Sequence, residues 1–261
     1  MTSTESNSLP LWVQHRDKVL EQSTDIEWRY GKFPDYTRSN ENLAKESTRN
    51  HPQGSLEAIV QNLVRTFDVE ANFKTNPQQW ISVVNEKFRM STNGGPSYTI
   101  SDVVESGTYK LLIGNTQHYK AAEENFETST SLFHTAFPEG FLWEVLEVFS
   151  APPTVAFKWR HWGHFKGAYK NNAPTGETIE VIGLSVAHVT EDLKILSLEH
   201  YYDNTKFLEK LTASGQEQKT GEQKQKQPNF WSFFQQFWHW QEKPRTGEAK
   251  TSACPFSALI R

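Results

Sequence analysis

The sequence predicts an α+β fold in which N-terminal helices pack on one face of an antiparallel sheet. Three observations carry this. From Ser55 onward, Ile59, Val60, Leu63, Val64 and Phe67 form an apolar stripe with the period of a helix. Between 141 and 202, four segments are rich in aromatic and β-branched residues, the composition of strands. The connections between those segments are too short for parallel crossovers, so the strands form a meander. Helices first and a meander after is the order of an α+β domain.

Taken along the chain, residues 1–25 read as a polar N-terminal tail whose apolar residues cluster at Leu11, Trp12 and Val13. Residues 26–36 read as an ordered arm, because Gly31 and Pro34 interrupt any period. Residues 38–53 read as a loop or short helix. Gly54-Ser55 supplies the start of the first long helix. A second helix is expected over Asn76–Val84, with Pro77 at an early helical position. A short strand follows Lys87 and ends at the turn dipeptide Asn93-Gly94. Residues 101–113 and 119–137 read as helices, the second stopping before Pro138-Glu139-Gly140. The four strands are expected over 141–150, 154–165, 178–189 and 194–202. The main domain is thus 26–212. A polar linker rich in Gln and Lys covers 213–229. Residues 230–261 form an aromatic-rich C-terminal segment, in which Phe230–Trp240 reads FWSFFQQFWHW.

Composition excludes several classes. The net charge is -4 and no basic stripe is visible, so nucleic-acid binding is not expected. A single cysteine, Cys254, excludes an internal disulfide and fits a reducing, cytoplasmic setting. No apolar run approaches the roughly 20 residues needed to span a bilayer. No signal-peptide pattern stands at the N-terminus. With aromatics at 13% and nine Trp, large rings are available to fill a core or to wall a pocket.

Several strings resemble a known family. Glu27-Trp-Arg with Pro34-Asp-Tyr36, Gly54-Ser-Leu-Glu, Phe88-Arg with Asn93-Gly-Gly, Phe126-Glu, Arg160-His-Trp-Gly-His164 and Ala253-Cys-Pro-Phe256 are similar to segments of the plant pathogen-related protein family. Ala173-Pro-Thr-Gly and the closing Tyr201-Tyr-Asp203 resemble the SnoaL-like branch of the nuclear transport factor 2-like (NTF2-like) superfamily. The resemblance covers about residues 26–212, plus the short end motif. It implies a conical fold, often dimeric, whose curved sheet encloses a pocket. It implies little about activity, since the superfamily includes cyclases, isomerases, dehydratases, hydrolases and binders that catalyse nothing.

Strand 154–165 alternates. Val155, Phe157, Trp159 and His161 share one face; Ala156, Lys158, Arg160, Trp162 and His164 share the other. Apolar walls with a few polar groups suit a ligand cavity, whereas a partly exposed strand with hydrogen-bonded histidines accounts equally for the pattern. By the resemblance, His164 falls at a histidine of the SnoaL-like pattern and Asp203 at its closing aspartate. His164, Asp203 and His161 are therefore candidates for proton transfer. Asp203 alternatively caps the helix after it. Trp143, Trp159, Arg160, Trp162, Glu199 and Tyr201 are candidate ligand contacts. An ion pair between Glu199 and Arg160 is expected if their strands are neighbours. No metal is expected, because His161 and His164 lack a Cys or carboxylate at a known ligand spacing. No cofactor motif is present.

Three functions compete on this reading: binding of an apolar or amphipathic small molecule, cofactor-independent acid–base chemistry on such a molecule, and recruitment of a protein partner by Phe230–Trp240. Contact of that segment with a membrane surface is the weaker reading, because few Lys or Arg flank it.

Overall fold

Four strands form the expected meander: β2 (Leu142–Val148), β3 (Thr154–His164), β4 (Thr178–Val189) and β5 (Ile195–Tyr202). They belong to a computed structural model that describes residues 9–213. A fifth strand, β1 (Arg89–Thr92), joins the edge beside β5 and gives the order β1-β5-β4-β3-β2. It runs parallel to β5, with Arg89 opposite Ser197 and Thr92 opposite His200, so the sheet is mixed rather than wholly antiparallel.

The Asn93-Gly94 turn explains this placement. Both residues have positive φ, 52° and 70°. The chain returns only as far as a bridge between Met90 and Tyr98, which leaves the other edge of β1 for β5. The Asn93 side chain then locks the pairing: its Nδ2 donates to the Tyr202 carbonyl at 2.9 Å and its Oδ1 accepts from the Tyr202 N–H at 3.0 Å.

Two bulges shape the sheet. One extra residue stands at Leu146 against β3, and another at Leu196 against β4. Bulges bend a strand and raise its twist. The second also corrects the expected faces of β5. Ile195 and Leu198 are both buried, although strict alternation would separate them.

Helix α3 (Leu56–Phe73) is the central helix. Ser55 caps it, its Oγ accepting the Ala58 N–H at 3.2 Å. Val60, Leu63, Phe67 and Ala71 are buried in the core. Two other helices are shorter than expected. Residues 101–113 divide into α4 (Ile100–Ser106) and α5 (Thr108–Ile113) at Gly107, whose φ is 81°. A Cβ there would stand 3.0 Å from the Phe126 ring, so glycine is required for both conformation and space. Residues 119–137 hold a 3-10 turn (Ala121–Glu123) and then α6 (Phe126–Ala136), which starts at an Asn125–Thr128 capping box.

Asn76–Val84 holds one 3-10 turn, Pro77–Gln79, instead of a helix. The cause is Glu70, a fully buried carboxylate on α3. It accepts the N–H groups of Ile81 and Ser82, the Ser82 hydroxyl, and Lys74 Nζ. Those backbone donors are taken by a side chain, so no helical ladder forms. Val83 then bridges Ile195 as an extended residue.

The N-terminal segment expected as a tail is folded from residue 9 onward. It contains a 3-10 turn (Leu11–Val13) and α1 (Arg16–Glu21), while α2 (Thr37–Glu46) is the short helix expected within 38–53. Val13, Arg16 and Val19 are buried, and Trp12 Nε1 donates to the Asp192 carbonyl at 3.0 Å. The last described helix is α7 (Asn204–Thr212), which buries Phe207, Leu208 and Leu211. The linker, Phe230–Trp240 and Cys254 lie outside the described residues.

Candidate functional site

The two faces of β3 lead to different environments. On one face, Arg160, Trp162 and His164 meet the end of α2. Trp162 Nε1 donates to Glu46 Oε2 at 2.9 Å, and His164 Nε2 lies 3.2 Å from the same oxygen. His164 Nδ1 is 3.0 Å from Thr178 Oγ1. Arg160 pairs with Glu180, and with Glu144 at 3.2 Å; its guanidinium also sits 4.0 Å over the Trp162 ring. Glu144 is 1% exposed and additionally accepts from Thr48 N, Thr48 Oγ1 and Arg49 N. This is a closed network in which each charge has protein partners, the arrangement a buried ion pair requires to persist.

The expected Glu199–Arg160 pair is absent, because β4 stands between their strands. Glu199 instead accepts the Tyr201 hydroxyl at 2.7 Å on an exposed stretch. Asp203 caps α7, its Oδ1 accepting the Lys206 N–H at 2.9 Å. His164 and Asp203 do not meet: β4 carries Thr178 opposite the one and Gly183 opposite the neighbour of the other. Four residues of strand and two strand spacings separate them by roughly 16 Å.

The opposite face of β3 looks toward the helices. Trp159 crosses to Tyr202, ring centroids 5.7 Å apart. Its Nε1 donates to Ser185 Oγ at 2.7 Å, and Ser185 lies 2.8 Å from His200 Nδ1. The indole can only donate, and among the described residues His200 Nδ1 is the one other partner of the serine oxygen, so the hydroxyl hydrogen is satisfied only if it goes to His200. Nδ1 of His200 is then the acceptor and Nε2 carries the proton. That Nε2 is buried and has no partner. His161 has the reverse tautomer, since its Nδ1 must donate to the Leu142 carbonyl at 2.8 Å. Its ring stacks on Phe141 with centroids 3.7 Å apart. Burial pushes both histidines down to about 4, so both are neutral near pH 7. Trp143 is half-buried against Phe157 on β2.

The sequence reading missed a group on α3 and the N-terminal arm. Asp68 is crowded by surrounding protein, and that desolvation raises its carboxyl pKa against the pull of Arg16 and Arg65. Its side chain nevertheless keeps exposed surface. Tyr109, His134, His161, His200 and Tyr202 behave alike: each is desolvated by the protein around it, yet none is closed over. Burial takes Arg65 down to about 10 and raises Tyr36 and Tyr109, with Asp68 pushing both tyrosines further up. A signal for Asp68 was present: Val60, Val64 and Asp68 lie on one i, i+4 row, so a carboxylate continues an apolar line.

Among the described residues, no group of three or more His, Cys, Asp or Glu is placed to hold a metal ion. A surface depression of about 270 Å³ between Pro77, Arg89 and Ile100 is separate from this interior.

Residues 100–211 match the SnoaL-like polyketide cyclase family. A pathogen-related protein of Hordeum vulgare is 38% identical over 188 residues, which is 69% of this chain and 80% of that protein. The chain belongs to the pathogen-related protein family, with a SnoaL-like region. Similar solved structures include an NTF2-like protein of Burkholderia thailandensis, at 13% identity and a TM-score of 0.34, covering 57% of this chain and 94% of the other. Another is a protein of ketosteroid isomerase-like fold from Catenulispora acidiphila, solved with trimethylamine. It is 13% identical with a TM-score of 0.33, over 58% of this chain and 90% of that one.

Proposed function

We propose that this protein binds a small, largely apolar molecule between α3 and the inner face of the sheet. The observation that carries this is the group of deep polar side chains that retain accessible surface: Asp68, Tyr109, His134, His161, His200 and Tyr202. Apolar walls with a few converging polar groups are the usual make-up of a ligand site. Here the walls would be Trp143, Trp159, Phe137 and Phe141, and neutral His161, whose Nδ1 is held by the Leu142 carbonyl, would offer Nε2 as an acceptor. A binding role in stress response or specialised metabolism fits the family. Arg160, Trp162, Glu199 and Tyr201 leave the ligand set, since they are engaged on the far face or exposed.

A second reading, acid–base chemistry on the bound molecule, is favoured by one observation. The Asp68 carboxyl is raised by burial and stands within electrostatic reach of Tyr36 and Tyr109. A base with a raised pKa is better matched to neutral pH. His164 and Asp203 do not support that chemistry as a pair. Exposed Ile182 and Tyr201 on the outer sheet face offer a surface for the homodimer that the resemblance implies, which sedimentation of the full chain would test. Among the described residues, no helix is long and apolar enough to cross a membrane.

The test is native mass spectrometry of the full chain purified from its own source. A retained small molecule, lost in a Trp159→Ala variant, supports binding. A mass equal to the bare chain, with no organic-soluble compound released on denaturation, rejects it.

A further inference from the structure

Resting on that reading of the interior, we propose that the bound molecule is an aromatic carboxylate, its carboxylate group received by Arg16, Tyr36 and Arg65. Arg16 comes from α1 and is 6% exposed. Its Nη2 donates to Asn40 Oδ1 at 2.6 Å, while its Nε–H, also buried, has no acceptor. The guanidinium carbon lies 3.4 Å from the centroid of the Tyr36 ring. Tyr36 is half-buried, but its hydroxyl oxygen is buried and has no partner. Two buried hydrogen-bonding atoms without partners thus stand on neighbouring side chains. Leaving such groups unpaired is costly, and native structures seldom do so without a ligand, ion or water to complete them.

The neighbours select the chemistry. Arg65 on α3 donates through Nη2 to the Trp143 carbonyl at 3.2 Å and is coupled electrostatically to Arg16. Asp68 feels both arginines, yet forms an ion pair with neither. Its contacts are with Asn72, whose Nδ2 donates to Asp68 Oδ1 at 2.8 Å. Asp17 and Glu144 also act on Arg65, but Glu144 is already held by Arg160 and Thr48, and Asp17 by Asn40. What remains among the described residues is a pair of guanidinium groups that no carboxylate ion-pairs, one of them with a free Nε–H, and a phenol hydroxyl without an acceptor. A carboxylate offers two oxygens in the plane a guanidinium fork prefers. A ketone or alcohol would satisfy one donor and leave the cations uncompensated. A dianionic phosphate would bring two negative charges up to Asp68, whereas a carboxylate brings one.

The walls select the body. Tyr109 stacks on Phe133 at 4.5 Å and Tyr36 meets Phe73 edge-on at 6.1 Å. Flat aromatic molecules pack against such rings at little conformational cost. The arm that supplies Arg16 and Tyr36 precedes residue 100, where the SnoaL-like match begins.

The experiment is calorimetric titration of the full chain with two probes of nearly equal shape, 2-naphthoate and the neutral 2-naphthamide. Naphthoate should bind about ten-fold or more tightly, the worth of charge-assisted hydrogen bonds over neutral ones. Arg16→Met should erase that preference while the naphthamide affinity stays the same. Tyr36→Phe removes only an oxygen without a protein partner, so it should fold normally and narrow the preference by a few-fold. It serves as the test should Arg16→Met fail to fold. Equal binding of the two probes, or a preference undiminished in both Tyr36→Phe and Arg65→Met, overturns the carboxylate assignment and leaves the interior site standing. If neither probe binds, both the assignment and the interior site fall.

Discussion

Trp159 occupies the place a side chain on Gly183 would need. The two residues are opposed across β3 and β4, and a Cβ on Gly183 would lie 2.2 Å from Trp159 Cζ2. The missing side chain lets the indole settle on the sheet, where its Nε1 reaches Ser185 and so fixes the His200 tautomer. Gly183→Ala should therefore displace the ring, costing about 1–3 kcal/mol, the usual range for overpacking a filled site. The accompanying sign is a changed near-ultraviolet circular dichroism spectrum together with weaker ligand retention. An unaltered spectrum and melting temperature would show that Trp159 does not rest on Gly183.

Arg160 tests whether the far face of β3 is structural. Arg160→Leu removes the cation beside Glu144, which is 1% exposed, and strands a buried carboxylate. Breaking one partner of such a pair costs about 3–5 kcal/mol, here lessened by the Thr48 and Arg49 donors that Glu144 keeps. Denaturant unfolding should show the loss, while ligand affinity of the folded fraction stays unchanged. Glu199→Ala, on an exposed stretch, should alter neither quantity. Loss of affinity in Arg160→Leu at wild-type stability would return this residue to the ligand set.

What could be read in advance follows from how local each cause is. The meander was legible because a run such as TVAFKWRHWGH and a connection as short as Thr190–Lys194 determine strand and antiparallel return together. The cap at Ser55 was legible for the same reason. The parallel partner of β1 was not, since it depends on Asn93 reaching Tyr202, over a hundred residues away in sequence. Nor was the failure of a helix at 76–84, where Glu70 captures the Ile81 and Ser82 amides. For the site, alternation along β3 separated its faces correctly but could not tell which one met α2. Trp159 and His161, on the face toward the helices, were named together with Arg160 and Trp162, which meet α2. Arg16, Tyr36 and Asp68 come together only through folding of the N-terminal arm.

Glu70 offers a sharp measure of that long-range capture. Glu70→Ala would leave Lys74 Nζ, two backbone amides and the Ser82 hydroxyl without their shared acceptor. Losing a buried, multiply bonded carboxylate beside a buried lysine should cost about 3–5 kcal/mol. Hydrogen exchange should quicken first at Ile81 and Ser82. Protection of those two amides at the wild-type level would mean that another group holds the segment.

The histidines give the protein a signed response to acid. His161 and His200 fall to about 4 in the folded chain from an ordinary value of 6.5. Between those pH values the unfolded chain binds more protons, so stability is lost as pH falls through the window. Each histidine contributes a slope of up to about 1.4 kcal/mol per pH unit. Asp68 acts in the opposite sense, because its raised pKa favours folding as it is protonated. Comparing His200→Gln with the parent cancels Asp68: the variant should show a shallower decline of melting temperature from pH 6.5 to 4. Nitrogen-15 NMR near neutral pH should show the Nδ1-protonated tautomer for His161 and the Nε2-protonated one for His200. Parallel melting curves, or a charged imidazole in either spectrum at pH 7, would contradict the burial of these rings.

Asp203 separates a cap from a catalyst. Its carboxylate accepts the Lys206 N–H at the start of α7, and α7 carries Phe207 into the ring cluster of Phe133, Phe137 and Phe141. Asp203→Ala should cost about 1 kcal/mol through loss of that cap. Asp203→Asn and Asp203→Ser, which can still accept the same N–H, should recover most of it. Proton transfer would follow a different order, because neither Asn nor Ser can act as a carboxylate base. If all three variants retain ligand equally and differ only in melting temperature, the aspartate serves the helix. If Asn restores stability but ligand turnover or retention stays abolished, the carboxylate itself acts on the bound molecule, and α7 carries a part of the site.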